Sequence, residues 1–161
     1  MILELKAEER VKALPVLEES FSGMYLWHSK KTLFGCERVF ALFENTIVGV
    51  IMLKRLSKRA GYVYYIATRP AFRRKGYASK LLEHSLQLFK DEGVEEVYAS
   101  VREDNKPSLT LFESFGFKEI GFADLAKRYG KFEAFKLYSE MMVVPGEKLL
   151  VLRLTQGCSP R

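Results

Sequence analysis

The chain has little cysteine: only Cys36 and Cys158 in 161 residues. Their separation fits neither a metal site nor a dithiol redox motif, and two thiols cannot build a disulfide scaffold. Cys158 lies in a polar tail and reads as a free, exposed thiol. No uninterrupted apolar run approaches the roughly 18 residues that a membrane span needs, so no membrane partner is expected. Residues 1–6 contain no basic stretch followed by an apolar one, so no secretory leader is expected and the protein is read as cytoplasmic. Internal repeats and low-complexity linkers are absent from the sequence. The expectation is one domain over 1–154, monomeric or homodimeric, and a frayed tail at 155–161.

What is present is the composition of a folded globular protein. With 48% hydrophobic and 29% charged residues the chain has the apolar surface that a disordered segment lacks. The net charge of +6 favours anionic partners. Much of the excess sits at 54–59 and 69–80. A nucleic acid or a cofactor with several phosphates would each suit it. Aromatics could supply stacking platforms for bases, but the tyrosines alternate with apolar strand residues and do not flank the basic loop. No nucleic-acid partner is expected.

The chain is organised around residues 62–92. Tyr62, Val63, Tyr64, Tyr65 and Ile66 are β-branched or aromatic and predict a strand. Pro70 stops it, having no N–H to offer. A basic loop, Arg73-Arg74-Lys75-Gly76-Tyr77-Ala78, opens directly into a helix whose apolar stripe is Ala78, Leu81, Leu82, Ser85, Leu86 and Phe89. Gly93 predicts a left-handed cap.

A helix N-terminus presents unpaired backbone N–H groups and about half a positive charge. Gly76 has no side chain and Ala78 only a methyl, so an anion can approach the backbone there. Arg73, Arg74 and Lys75 add fixed charge beside those donors. The loop therefore suits a phosphate or pyrophosphate; the plainer alternative is a solvated basic loop ahead of a surface helix.

The pattern Arg/Gln-x-x-Gly-x-Gly/Ala between strand and helix resembles the cofactor motif of the GNAT superfamily of N-acetyltransferases. It stands here as Arg73-Arg74-Lys75-Gly76-Tyr77-Ala78. A predicted strand at 97–101 follows, and then Asp104-Asn105-Lys106-Pro107-Ser108-Leu109-Thr110-Leu111-Phe112-Glu113-Ser114-Phe115-Gly116-Phe117. That is similar to the family's second segment, Asn-x-x-Ala-x-x-Leu-Tyr-Glu-x-x-Gly-Phe. The likeness covers about 62–117.

The resemblance implies an α/β (α+β) GNAT fold, a mixed central sheet of six to seven strands with helices on both faces. It implies an acetyl-CoA-dependent N-acetyltransferase in which an amine attacks the thioester directly in a ternary complex. The acceptor would be an amine-bearing small molecule, a polyamine or a protein N-terminus. The stretch 101–107 is similar to the protein N-terminal acetyltransferases. The residues implied to bind the cofactor are Ile66, Ala67, Thr68, Arg73, Arg74, Lys75, Gly76, Tyr77, Ala78, Ser79, Asn105, Ser108 and Phe112, with no metal. The Thr68 backbone N–H would polarise the thioester carbonyl. Asn105 has a second physical reading, an N-cap together with Asp104. Tyr25, Trp27 and His28 are candidates for the acceptor pocket, against the alternative that this aromatic cluster is packing.

Two departures from the family bear on catalysis. Phe112 stands where a tyrosine usually protonates the leaving thiolate, and the 62–68 strand lacks the usual glutamate. Tyr64 and Tyr65 are candidates to replace the missing donor, as are Tyr129 and Tyr138. The alternative reading is a catalytically weak acyl-CoA-binding sensor or interaction domain of the same fold.

The flanks are read by pattern. A short strand at Ile2, Leu3 and Leu5 precedes a helix with Val11, Leu14, Leu17 and Phe21 on its apolar face, where Pro15 marks a kink or the true start. Residues 24–35 predict a second helix. Runs at 39–43 and 47–53 around Glu44-Asn45-Thr46 predict a hairpin. Residues 117–122 read as a strand and 148–154 as the last one. Over 123–144 two periods compete; a helix with Phe132, Phe135, Tyr138, Met141 and Met142 in its stripe is preferred to a strand.

Overall fold

Apolar runs bracketing Glu44-Asn45-Thr46 fold as the hairpin their pattern demands: β2 (Arg38–Phe43) and β3 (Ile47–Arg55) pair antiparallel, Val39 opposite Met52 and Ala41 opposite Val50. Most residues of both are buried, which explains the near-continuous hydrophobic sequence. β1 (Ile2–Glu4) adds to β2's free edge, Leu3 facing Ala41. The computed structural model describes residues 1–154. The tail expected to fray, with Cys158, lies outside the described residues. Among the described residues seven strands form a mixed sheet ordered β1-β2-β3-β4-β5-β7-β6, with six helices. The chain divides into two compact units, 1–54 with 63–88, and 55–62 with 89 onward; β4 (Ala60–Thr68) runs through both.

In the first unit a 3-10 segment (Ala7–Ala13) leads into α1 (Leu14–Ser20), with Pro15 in its first turn. Pro15 thus marks the true start, where a missing N–H costs nothing. The apolar face differs from the expected one: Val11 is exposed, while Ala13, Val16 and Leu17 are fully buried. A 3-10 segment turns about 120° per residue, so an α-helical projection places Val11 wrongly. α2 (Gly23–Gly35) ends under a guanidinium. The buried Arg10 side chain donates to the carbonyls of Leu33, Cys36 and Glu37 at 2.8–3.1 Å, satisfying acceptors that the helix terminus leaves open. Beside it, burial pushes the Cys36 thiol's pKa up, which keeps this sulfur protonated and unreactive. α3 (Tyr77–Asp91) lies close to β3 because Gly49 leaves room; a Cβ there would stand 3.1 Å from Leu81 Cδ1.

The second unit pairs β5 (Glu96–Arg102) with β7 (Glu147–Arg153) along its whole length, Tyr98 opposite Val151. α4 (Lys106–Ser114) follows β5. Where a strand is predicted over 117–122, β6 holds only Lys118–Glu119, and Phe122 already opens α5 (Phe122–Tyr129). The ambiguous 123–144 segment is helical, as preferred, but broken in two. Gly130, at φ +83°, separates α5 from α6 (Lys131–Met141). The expected stripe is corrected: Phe132 and Phe135 are 81% and 66% exposed, and the buried face is Ala134, Leu137 and Met141. Both sets fit a 3.6-residue period, and only packing chooses between adjacent faces. Tyr62 ties this hairpin down by donating to the Met141 carbonyl at 3.0 Å. Gly93, at φ +83°, terminates α3 in the left-handed conformation predicted for it.

Gly61 in β4 faces the Phe89 ring so closely that an added Cβ would lie 2.7–2.9 Å from three ring carbons. Gly61→Ala should therefore destabilise the fold by about 1–3 kcal/mol through overpacking. Urea unfolding should show a lower midpoint at unchanged slope.

Candidate active site

The site is built at the end of β4. Tyr64, Tyr65 and Ile66 are half-buried and Ala67 is buried, so the strand carries its aromatic side chains into partial contact with solvent. Three contacts hold its last residues. Arg69 N–H donates to the Val48 carbonyl at 2.8 Å. Ser20 Oγ and Arg73 Nε both donate to the Thr68 carbonyl, at 3.4 and 3.2 Å. Arg69 also donates twice to Glu19 at 2.7–2.8 Å, and that hydrogen bonding holds the Glu19 carboxyl below its ordinary range. The strand terminus is thus pinned to the end of α1.

Beyond a 3-10 turn (Pro70–Phe72) the basic loop takes the backbone shape that an anion site requires. Arg74 has φ +64° and Gly76 φ +79°, two left-handed residues bracketing Lys75. For an arginine this conformation is uncommon, and the sequence motif does not announce it. Such turns direct successive N–H groups to one side, a concavity suited to an anion. Nothing lies within 4 Å of where a Gly76 Cβ would be. Arg73, Arg74 and Lys75 are exposed, and Lys75 sits 5.4 Å over the Phe72 ring. The Lys80 N–H bonds back to the Gly76 carbonyl at 3.0 Å, closing the first turn of α3, along which Ala78 and Ser79 are half-buried.

Tyr77 is held by a residue that motif reasoning did not find. The Glu44 carboxylate in the β2–β3 turn acts on its phenol and, with burial, raises its pKa. Nothing local links positions 44 and 77. At the strand end, the Thr68 hydroxyl oxygen is buried and has no hydrogen-bond partner. An open, cationic loop with two left-handed residues is what a polar ligand with phosphates would complete. The residues present therefore fit the group the resemblance implies.

The acceptor candidates separate. Trp27 is exposed, with the Lys31 ammonium 5.2 Å from its ring, so packing does not account for it. Tyr25 is half-buried. His28, also half-buried, lies with its Nδ1 2.6 Å from the Tyr65 hydroxyl. Phe21 packs edge-on against the same tyrosine at 5.4 Å between ring centres. Residues 28 and 65 are brought together by α2 lying against β4, and no spacing in the sequence signals the pair.

In the second unit Asn105 is the N-cap of α4, its side-chain oxygen accepting from the Ser108 N–H at 3.2 Å. Asp104, expected to share that role, pairs instead with Arg102 at 2.7 Å. Phe112 is buried, edge-to-face with Phe117. Tyr129 donates to Glu96, while Tyr138 packs against Phe122. Among the described residues no group of three or more His, Cys, Asp or Glu could hold a metal, and no helix is long and apolar enough to cross a membrane.

The family profile described as acetyltransferase (GNAT) family matches residues 3–117. The chain belongs to this family. It is 36% identical over 99 residues to an N-alpha-acetyltransferase of Saccharolobus solfataricus, covering 54% of this chain and 59% of that protein. The chain thus spans less than two thirds of that relative. Its fold is similar to the crystal structure of the ribosomal-protein-S18-alanine N-acetyltransferase from Escherichia coli, with a TM-score of 0.71 at 17% identity over 98% of this chain and 96% of that one. It is also similar to a PaiA N-acetyltransferase from Thermoplasma acidophilum in complex with coenzyme A, with a TM-score of 0.69 at 16% identity over 96% and 99%. At these identities the structural likeness supports the fold, in agreement with the mixed sheet and the order of its elements.

Proposed function

We infer that this GNAT protein is an acetyl-CoA-dependent N-acetyltransferase whose acceptor is the free α-amino group of a protein N-terminus. The observation that carries the reading is the loop at the head of α3, where Arg74 and Gly76 are both left-handed and three exposed cations surround them. When bound, acetyl-CoA supplies the activated thioester. The chain's own residues do the remaining work. Backbone N–H groups from Arg74 to Ala78, helped by Arg73 and Lys75, hold the pyrophosphate. The Thr68 N–H would donate to the carbonyl where negative charge develops, the kind of interaction that counts most in a water-poor site. The family pattern further implies Ile66, Ala67 and Ser79 as cofactor-binding residues of the first unit, and Asn105, Ser108 and Phe112 as those of the second. Tyr64 and Tyr65 on β4 are the hydroxyls that would stand in for the donor absent at Phe112. Holding amine and thioester together supplies much of the rate. A thiol with a pKa near 8.5 leaves as thiolate without a strong acid.

The acceptor class is supported by the relatives' own names, an N-alpha-acetyltransferase and a ribosomal-protein alanine acetyltransferase. The exposed Trp27 and half-buried Tyr25 at the N-terminal half of α2 offer a surface for the acceptor's first side chains. The buried phenyl of Phe112 is the observation favouring the other reading, acyl-CoA binding without efficient turnover.

One assay separates these readings. The protein is incubated with acetyl-CoA and three acceptors: peptides with free N-termini, the same peptides N-blocked but containing lysine, and spermidine. Mass spectrometry should find an added acetyl on the free-N-terminus peptides alone. Transfer chiefly to lysine or spermidine overturns the acceptor class. Tight acetyl-CoA binding with no transfer to any of them establishes the sensor reading.

A further inference from the structure

The family's usual proton-handling groups are missing. Phe112 carries no hydroxyl, and the only side chains from 62 to 68 that could move a proton are tyrosines and a threonine. Yet acetyl transfer to an amine must remove a proton from nitrogen. Positioned acid–base groups contribute typically 10²- to 10⁴-fold to such steps. Two candidate sites elsewhere do not serve. The Glu96, Tyr98 and Tyr129 cluster is satisfied internally and its Tyr98 is fully buried. The exposed phenylalanines of α6 have nothing beside them to say what covers them. The pair of His28 and Tyr65 is different.

We propose that Tyr65 and His28 form the proton relay of the transfer reaction. This rests on the acetyltransferase reading. Tyr65 is the residue that touches the acceptor nitrogen, and His28 is a positioning residue acting through it. Three observations carry the assignment. The Nδ1 to hydroxyl distance is 2.6 Å, at the short end for a phenol bonded to a ring nitrogen, and both side chains are half-buried and so reachable. Tyr65 stands on the same strand as the proposed carbonyl donor, three residues, or about 10 Å, before Thr68. Lastly, both partners are fixed. Phe21 packs on the Tyr65 ring, and α2 is clasped at its far end by Arg10.

The proton balance is simple. The amine nitrogen bonds to the thioester carbon and the C–S bond breaks. As the nitrogen loses its proton to Tyr65 Oη, the Tyr65 hydroxyl proton passes to His28 Nδ1. The thiolate leaves and is protonated by water, and His28 returns its proton to solvent. No redox partner is required.

Tyr65→Phe and His28→Gln test the relay, since both change little volume. Each should lower kcat for a free-N-terminus peptide by about 10²-fold or more, leaving the acetyl-CoA Kd by calorimetry within about threefold. Together they should lose about what the worse single variant loses, because they act as one unit. A readout independent of turnover is the imidazole ¹⁵N spectrum of the protein without acetyl-CoA. His28 Nδ1 should appear as a hydrogen-bonded acceptor in wild type and lose that signature in Tyr65→Phe. A kcat within about threefold of wild type for either variant overturns the relay, as do losses that multiply in the double variant. A His28 Nδ1 that already carries a proton also overturns it. Wild type that binds acetyl-CoA but transfers to no amine overturns relay and enzyme together; active wild type with unaffected variants overturns the relay alone.

Discussion

Gly76→Asp should weaken acetyl-CoA binding by roughly 100-fold. Gly76 has φ +79°, and nothing lies within 4 Å of where a Cβ would stand, so a side chain there starts in open space. It brings two penalties. A non-glycine residue on the left-handed side costs about 1–2 kcal/mol of backbone strain, least for Asn and Asp. The second is electrostatic: a carboxylate placed where the pyrophosphate is proposed to sit repels it by about 1–4 kcal/mol per charge at 4 Å. Taking about 3 kcal/mol in sum, Kd should rise by roughly 100-fold. Gly76→Asn separates the two, since it keeps the strain and removes the charge. It should weaken binding by about tenfold or less. Calorimetric titration of all three proteins is the measurement. Asn and Asp equally damaging would mean that backbone shape alone matters. Asp harmless would mean that the anion binds elsewhere, and the loop would revert to a solvated basic surface.

Glu96→Ala should strongly destabilise the second unit. Glu96 is only 8% exposed, and its carboxylate is the centre of four partners. Tyr98 donates to it at 2.6 Å and Tyr129 at 2.5 Å, while Arg128 lies 2.6 Å away and Arg153 3.8 Å. Removing it leaves the Arg128 charge and two phenols without their acceptor in a low-dielectric surrounding. Breaking a buried pair by deleting one partner costs about 3–5 kcal/mol. Arg153 is largely exposed and loses little, which points to the lower end. At about 3 kcal/mol the melting temperature should fall by roughly 6–12 °C in a chain of this size. Glu96→Gln keeps an acceptor oxygen and should lose less. A fall of under about 2 °C for Glu96→Ala would show that water enters and replaces the carboxylate.

The same cluster has a predictable alkaline response. Burial first, and hydrogen bonding to Glu96 second, raise the pKa of both Tyr98 and Tyr129 above the ordinary phenol value. A group whose folded pKa is raised contributes its full stability below the unfolded pKa, about 10. The contribution declines as pH rises beyond it, because the unfolded chain releases protons that the native one retains. Wild-type stability should therefore drop above about pH 10 more steeply than that of Tyr129→Phe.

The legible parts of this chain are those whose cause is local. Alternating and 3.6-residue periods come from neighbours in sequence, so β2, β3, α2 and α3 emerge close to their observed bounds. Gly93 and Pro15 act as predicted because a left-handed cap and a first-turn proline depend on one residue's own torsions. Errors gather where two patterns share one period. The 132–142 stretch has two helical stripes side by side, and packing buried Ala134, Leu137 and Met141 rather than the phenylalanines. Val11 failed for a related reason, a 3-10 geometry that the sequence does not distinguish from an α-helix.

The candidate site divides along the same line. Sequence by itself determined the strand, basic loop and helix, the placement of Gly76 at the loop's turn, and membership of the GNAT family through two motifs in order. All of these live within a contiguous stretch, where backbone geometry follows from residue type. Only the tertiary structure decided who meets whom. It set Tyr77 on Glu44, bound Arg69 to Glu19, and placed His28 against Tyr65. Those partners lie 33 to 50 residues apart in sequence, and their meeting depends on how helices lie on the sheet and on strand register. A one-residue shift in register would turn Tyr65 to the opposite face and dissolve the pair. Chemistry that needs two side chains at 2.6 Å is therefore a property of the packed sheet and helices, while the means to bind an anion is already written in the loop.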